Sequence, residues 1–229
     1  MLRTLKKTAR RFLRQHRALK AREAGGAGAM LLERLLQDNP RFHMQDGSLT
    51  NSWSIQPDTL RYIYGLLPPE AKTVETGCGQ STVVFAIAGA RHTCVMPDAG
   101  EAERVRQYCV RLGVANNVNF VIASSDKALP DVARIPSDLD FVLIDGAHGF
   151  PAPIIDWHYT APKLKVGGVL AVDDYRMPSV HTLHSFLCGE DEWELMMVLQ
   201  NTSFFRKLQE PKSLVDWRGQ KINVDYPGY

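Results

Sequence analysis

The chain lacks any run of about 18 consecutive apolar residues, the length that a transmembrane helix needs. It has only four cysteines, which lie far apart, with no Cys-x-x-Cys pair and no spacing typical of zinc ligands. We therefore expect free or buried thiols in a reducing compartment rather than disulfides or a zinc site. These absences predict a cytoplasmic protein.

Acidic residues are absent from residues 1–22, which hold nine of the 27 basic residues. The rest of the chain carries 18 basic against 25 acidic residues, a net charge of −7. Apolar residues of this segment recur at spacings of three and four, which predicts a basic amphipathic helix. Two interpretations are open. The helix lies on an anionic membrane surface, at the inner face of a membrane, or it packs on its own domain or on a second subunit of a homo-oligomer. We do not expect nucleic acid as the partner.

A glycine-rich joint, GGAG, ends this basic arm, so residues 1–28 are set apart from one domain over residues 29–229. The first part of the domain is predicted to hold two helices joined by a polar loop, RFHMQDGSLTNSWSIQ. Five strand patterns then alternate with helical patterns, which predicts an α/β fold with a doubly wound parallel sheet. The strand patterns are KTVET, HTCVM, NVNFVI, LDFVLID and GGVLAVDD. Two further segments, WELMMVLQ and FFRKLQ, predict an antiparallel hairpin at the sheet edge.

The segment VETGCGQST, residues 74–82, places two glycines directly after the first strand of the predicted sheet. Ligands of such sheets bind at the carboxyl ends of the strands, so this turn is expected to contact the ligand. No Lys follows the glycines, which excludes a nucleotide P-loop, and Thr82 stands where the dinucleotide fingerprint needs its third glycine. Glu75 would repel a pyrophosphate but would favour a cationic ligand. S-adenosylmethionine, which carries an ammonium and a sulfonium and no phosphate, fits this pattern.

Residues 53–209 resemble class I S-adenosylmethionine-dependent methyltransferases. The resemblance rests on VETGCGQST, on LDFVLIDGAHGF, on LKVGGVLAVDDY and on the terminal hairpin. It implies a seven-stranded Rossmann-like sheet that ends in the antiparallel hairpin, here with an N-terminal helical extension. It also implies an enzyme that moves the methyl group of S-adenosylmethionine to a small-molecule acceptor, at a hydroxyl oxygen if the chain acts as an O-methyltransferase.

The resemblance implies cofactor-binding residues at several strand ends. Glu75 and the two glycines of the turn would line the methionine end, and Ser124, Ser125 and Asp126 would lie near the adenine, any one of them as its hydrogen-bond partner. The acid that binds the ribose in this family has no direct counterpart, because Met96 stands at its usual place. Asp98 either takes that role or only caps the next helix. The full predicted set is Glu75, Gly77, Gly79, Ser81, Asp98, Ser125 and Asp145.

Acidic residues also end the fourth and fifth predicted strands: Asp145 ends FVLID, and Asp173 and Asp174 end VLAVDD. Adjacent parallel strands bring their carboxyl ends within about 5–10 Å, so three carboxylates there repel one another unless something neutralises them. A hard divalent cation with oxygen ligands, Mg²⁺, would do so, and the pattern is similar to metal-dependent O-methyltransferases. The alternative is that these acids cap helices or accept backbone N–H groups without a metal.

His148 and Asp145 are the predicted catalytic residues. His148 is a candidate general base because imidazole titrates near physiological pH and can take the proton of a hydroxyl. The alternative is a loop histidine that is bonded to the backbone. Two other functions remain open: a different chemistry on the same scaffold, such as a metal-dependent hydroxylase or an N-methyltransferase, and a cofactor-binding interaction protein without catalysis.

Overall fold

The computed structural model describes residues 26–131, 133–210 and 217–224 of the 229-residue chain. The basic helix predicted over residues 1–22 lies outside the described residues. Among the described helices, none has the length and hydropathy needed to cross a membrane.

One seven-stranded sheet forms the centre of the domain. Its strands are β3 (Lys72–Thr76), β4 (Arg91–Met96), β5 (Val118–Ile122), β6 (Leu139–Ile144), β7 (Leu164–Val172), β8 (Trp193–Leu199) and β9 (Thr202–Lys207). They are arranged in the order β5-β4-β3-β6-β7-β9-β8. The first five are parallel, whereas β9 runs antiparallel to β7 and β8 antiparallel to β9. The predicted doubly wound sheet with a terminal antiparallel hairpin is confirmed.

Helices cover both faces of the sheet. The longer ones are α1 (Ala27–Asp38), α2 (Pro57–Leu66), α3 (Gln80–Ile87), α4 (Ala99–Leu112), α6 (Ala152–Thr160) and α7 (Pro178–Gly189), and α5 (Ser125–Ala128) and α8 (Lys221–Val224) are single turns. Strand β6 shows why both faces are apolar. Phe141 and Leu143 belong to one buried cluster, whereas Val142 and Ile144 belong to the cluster on the opposite face. Alternate side chains of one strand therefore pack into two separate cores.

A second, two-stranded sheet stands where the sequence predicted a polar loop. Strands β1 (His43–Gln45) and β2 (Ser48–Thr50) pair antiparallel around Asp46 and Gly47, both of which have positive φ angles, 50° and 77°. An Asp-Gly pair suits the tight turn that joins two such strands. The predicted polar loop therefore contains a hairpin that was not predicted, because two strands of three residues are too short to show a clear alternation of polar and apolar residues.

The hairpin formed by β1 and β2 packs against helix α4. The Nε of Arg104 donates a hydrogen bond of 2.6 Å to the backbone oxygen of Phe42, just before β1. The ring of Phe42 in turn packs edge-on against Tyr108, with 5.7 Å between the ring centroids. These contacts place β1 beside the carboxyl end of β4, from which α4 begins.

Candidate active site

A cavity of about 760 Å³ opens at the carboxyl ends of the parallel strands. Strand β3 leads into helix α3 on one face of the sheet and β6 into helix α6 on the other, so the order of connection reverses between them. Ligands of doubly wound sheets bind at this kind of switch point. Of the residues predicted from sequence, the cavity is lined by Gly77, Asp98, Ser125, Asp145, His148 and Asp174.

Gly77 is held between the ends of two strands. Its φ angle is +92°, and a Cβ at this position would overlap the backbone oxygen of Asp145. Its N–H donates a hydrogen bond of 3.0 Å to the backbone oxygen of Val95 in β4. Only glycine fits this combination of positive φ and close packing. The first glycine of the predicted turn therefore brings bare backbone to the cavity.

The carboxylate of Glu75 points away from the cavity. The side chain is fully buried and accepts hydrogen bonds from the hydroxyls of Ser81, at 2.8 Å, and Thr82. The Nε2 of His92 lies 3.1 Å from the same carboxylate. The side chains of Glu75 and Ser81, which were predicted to bind the cofactor, hydrogen-bond to each other beneath the turn and do not line the cavity. Gly79 is also outside the cavity lining, and a Cβ there would lie 3.3 Å from Nε2 of His43.

Asp98 is both a helix cap and a cavity residue. Its Oδ1 accepts hydrogen bonds from the backbone N–H groups of Gly100, at 2.8 Å, and Glu101, at 3.0 Å, which satisfies donors at the start of α4. The side chain also lines the cavity. The two interpretations offered for Asp98 are compatible, since capping uses one oxygen.

His43 in β1 and Glu101 in α4 line the cavity but are outside the predicted set of site residues. Glu101 accepts a hydrogen bond of 2.8 Å from Nδ1 of His43, and both side chains line the cavity. The His43 ring packs edge-on against Trp53, with 5.7 Å between centroids. Trp53 also lines the cavity and is 56% exposed. The hairpin therefore covers the side of the cavity next to Asp98, and only its Asp-Gly turn signal could have indicated it in the sequence.

His148 lies between two carboxylates. Its Nε2 is 3.8 Å from Oδ1 of Asp145 and 3.7 Å from Oδ2 of Asp174. This nitrogen is buried and makes no hydrogen bond to any residue that the structure describes. Burial, then the neighbouring charge of Asp173, raises the pKa of Asp145 well above its ordinary range. The structure thus brings together the acid and the histidine that the sequence predicted as catalytic.

Asp173 stands behind this group. It is buried, and its Oδ1 accepts a hydrogen bond from the hydroxyl of Thr202 in β9. Burial raises its pKa. Within the described part of the chain, no group of three His, Cys, Asp or Glu side chains is arranged as ligands of a metal ion. Asp145, Asp173 and Asp174 are therefore close together as predicted but are not assembled as a ligand set, and metal binding stays a prediction.

The fold is that of the class I S-adenosylmethionine-dependent methyltransferases: a seven-stranded sheet that ends in an antiparallel hairpin, with a glycine turn at the switch point. A family model described as a methyltransferase domain matches residues 74–175. This segment runs from β3, before the glycine turn, to the acids after β7. The similarity to class I methyltransferases that the sequence predicted is thereby confirmed for this segment of the chain.

Solved structures share this fold at low sequence identity. The O-methyltransferase TomG from Streptomyces achromogenes, in complex with S-adenosylmethionine, is 15% identical, with a TM-score of 0.59 over 81% of this chain and 91% of that one. An O-methyltransferase from Bacillus cereus is 14% identical, with a TM-score of 0.61 over 78% and 90%. An rRNA methylase from Streptococcus thermophilus is 16% identical, with a TM-score of 0.52 over 66% and 95%. No curated protein sequence matches the chain.

Proposed function

We propose that the protein transfers the methyl group of S-adenosylmethionine to a hydroxyl oxygen of a small-molecule acceptor. The observation that carries this proposal is the position of His148, in the cavity and between two carboxylates. An imidazole that lines a cavity can accept a proton from a hydroxyl bound there. O-Methylation needs such a proton acceptor, since the attacking hydroxyl must lose its proton.

The cofactor would lie along the strand ends, from Gly77 to Ser125. Gly77 allows its methionine part to approach the backbone, and Asp98 has a second carboxylate oxygen for the ribose hydroxyls. Because Glu75 is buried with its own partners, Asp145 is the carboxylate that the positive groups of this ligand would meet at the turn. This assignment moves the electrostatic role that the sequence suggested for Glu75 to the end of β6.

His148 and the residues around it are placed to take up the proton that the acceptor hydroxyl loses. S-adenosylmethionine, when bound, supplies a methyl group activated by its sulfonium. The imidazole of His148 would accept the proton of the acceptor hydroxyl when that oxygen attacks the methyl group. The Nε2 of the ring lies 3.8 Å from Asp145 and 3.7 Å from Asp174, whose carboxylates would stabilise the imidazolium that forms. The protein otherwise contributes alignment, which by itself lowers the barrier to a two-substrate reaction.

The mouth of the cavity favours an acceptor with an apolar body. Trp53, Phe150 and Met177 are 56%, 69% and 42% exposed, and all three line the cavity. Exposed apolar side chains that gather at one cavity are typical of a binding site. Acidic side chains line its floor, and they would repel the phosphates of RNA, whose binding needs basic surfaces. A small hydroxylated molecule therefore fits this cavity better than rRNA, although an rRNA methylase shares the fold.

A metal-assisted form of the reaction is a second candidate. It is favoured by the crowding of Asp145, Asp173 and Asp174, because burial and then the neighbouring charges raise the pKa of Asp145, and because oxygen donors suit Mg²⁺. As these side chains stand they do not form a ligand set, so we assign no step to a metal. A saturable rise in melting temperature with Mg²⁺, absent in Asp174→Asn, would support this form. No rise in the wild type would count against it.

The proposed function is tested with cofactor that carries a labelled methyl group. Calorimetry with S-adenosylhomocysteine first establishes binding, and a panel of phenols, sugars, amines and rRNA then serves as acceptors. We expect S-adenosylhomocysteine to bind and the label to appear in ethers of hydroxyl acceptors. Absence of binding, or label confined to nitrogen or to rRNA, would contradict the proposal.

A further inference from the structure

Asp156, on helix α6, is a buried acid without a clear structural partner. Its side chain is fully buried, and neither carboxylate oxygen makes a hydrogen bond to the residues that the structure describes. Burial of an unpaired carboxyl costs free energy, so folded proteins rarely contain one without a function. Ala152 and Ile155, one turn and one residue earlier in the same helix, line the cavity. Asp156 therefore lies directly behind the cavity wall.

The carboxyl of Asp156 faces the ends of three strands. A Cβ on Gly146, after β6, would lie 3.4 Å from Oδ2 of Asp156 and 3.2 Å from Oγ1 of Thr76, so these two polar atoms flank the same point. The Thr76 hydroxyl, at the end of β3, is also buried without a partner in the described part of the chain. Gly146 and Thr76 both line the cavity on their other side.

Ser125, after β5, is the third neighbour. Helix α5, which begins at Ser125, packs against α6, and the hydroxyls of Ser125 and Thr76 oppose the rise in the pKa of Asp156 that burial causes. Ser125 also lines the cavity, whereas Asp156 does not. A serine hydroxyl can donate only one hydrogen bond, whereas an ionised carboxylate can only accept hydrogen bonds. A hydroxyl between a buried carboxylate and a cavity is therefore expected to donate to the carboxylate.

We propose that Asp156 is a positioning residue for the cofactor: with the ligand bound, it accepts the hydrogen bond of the Ser125 hydroxyl and turns the lone pairs of that oxygen to the cavity. Ser125 then accepts a hydrogen bond from an N–H donor of the ligand. In S-adenosylmethionine this donor is the exocyclic amine of adenine, at the end of the cofactor that lies by β5. The inference rests on the proposed function, because it requires this cofactor.

The arrangement has a consequence for specificity. A Ser125 oxygen that can only accept must favour a 6-amino purine over a 6-oxo purine, which presents an acceptor at the same place. Asp156 would set this preference without contacting the ligand. A merely structural Asp156 would instead contribute to stability and leave the preference unchanged.

The test compares the Kd of S-adenosylhomocysteine with that of S-inosylhomocysteine, its 6-oxo analogue, by calorimetry. We expect the wild type to prefer the adenine form by about tenfold or more, the value of one hydrogen bond. Ser125→Ala and Asp156→Leu should each remove most of this preference. The double variant should lose no more than either single one, because both changes break the same hydrogen-bond chain. Asp156→Asn, which keeps one acceptor oxygen, should retain most of it.

Melting temperatures separate positioning from folding. Asp156→Leu should melt at or above the wild-type temperature, since it removes an unpaired buried carboxyl. Thr160→Val is the matched control, because it removes a buried hydroxyl one turn further along the same helix and should keep the preference. An unchanged preference for the adenine form in Asp156→Leu overturns the inference but not the proposed function. If the Leu variant does not fold, an unchanged preference in both Asp156→Asn and Ser125→Ala has the same consequence. A wild type that binds neither ligand overturns the proposed function as well.

Discussion

Two acids near the ends of neighbouring strands behave in opposite ways. Glu75, in β3, accepts hydrogen bonds from Ser81, Thr82 and His92 and does not reach the cavity. Asp145, directly after β6, lines the cavity, where burial and then the neighbouring carboxylates raise its pKa. A buried charge whose partners are all supplied by the protein is typical of structure. A charge held among like charges at a cavity is typical of function.

The direction of each side chain explains this contrast. Side chains alternate along a strand, so Glu75 and Thr76 point to opposite faces of the sheet. Glu75 points to the face of α3, where His92 stacks on Phe85 with 4.3 Å between ring centroids. Thr76 points to the other face, toward Asp156. Asp145 lies beyond the last paired residue of β6, and its side chain is therefore free to turn to the cavity.

The first prediction tests the functional half of the contrast and has the largest expected effect. His148→Ala should lower kcat by about 10²–10⁴-fold, the contribution of a general base. The Kd of S-adenosylhomocysteine should change little, since no cofactor contact is assigned to the imidazole. His158→Ala, an exposed histidine on α6, is the control. A loss of less than about tenfold in methyl transfer would remove His148 as the base.

The second prediction tests the structural half. Glu75→Gln replaces one carboxylate oxygen, an acceptor, by an amide NH₂, a donor. In the wild type three groups, of Ser81, Thr82 and His92, donate to this carboxylate. We expect the free energy of unfolding to fall by about 1–3 kcal/mol, the cost of leaving buried polar groups unpaired. Urea denaturation measures this loss. Glu70→Gln, which breaks an exposed pair with Arg91, should change it by less than about 1 kcal/mol. Full stability with weakened cofactor binding would show that Glu75 contacts the ligand after all.

The third prediction concerns the effect of Asp145 on stability, which we expect to be smaller than that of Glu75 and opposite in sign. Its pKa is raised in the folded state above the ordinary value of 3.8, so the unfolded chain releases this proton first. Stability is therefore lost as the pH rises from 3.8 through the folded pKa. Asp145→Asn carries no such proton, so its stability relative to the wild type should increase over this range while methyl transfer falls. Urea denaturation at several pH values, with chelator present, measures the difference. A variant less stable than the wild type at neutral pH would contradict the contrast between the two acids.

The sequence predicted more of the fold than of the site. The alternation of strands and helices was sufficient for the sheet, because strands such as β6 are apolar on both faces and cannot be mistaken for surface strands. The positions of Asp145, His148 and Asp174 followed from their place after strand ends. The direction of Glu75 did not, since the motif gives the position of the acid but not the face of the sheet to which it points.

Two parts of the cavity depend on contacts between distant segments. The pair of His43 and Glu101 joins residues 58 positions apart, and no local pattern connects them. Asp156 shows no motif of its own, and only its burial behind Ser125 distinguishes it from other helical acids. Functional groups that act from behind a cavity wall are therefore the least accessible to inference from sequence.

The last prediction concerns residues 1–22 and has the smallest expected effect on the cavity. Among the residues that the structure describes, those that line the cavity lie between positions 43 and 177. Deletion of residues 1–22 should therefore leave the Kd of S-adenosylhomocysteine unchanged, and the contrast between Glu75 and Asp145 should also remain. Calorimetry checks the affinity.

Vesicles of anionic lipid distinguish the two interpretations of the basic arm. A membrane-surface helix with nine basic residues should retain the full-length protein on vesicles at low salt and release it at high salt, because salt screens its charge. Equal retention of the truncated protein would exclude the membrane interpretation, and a change in oligomeric state on truncation would instead favour packing on a second subunit.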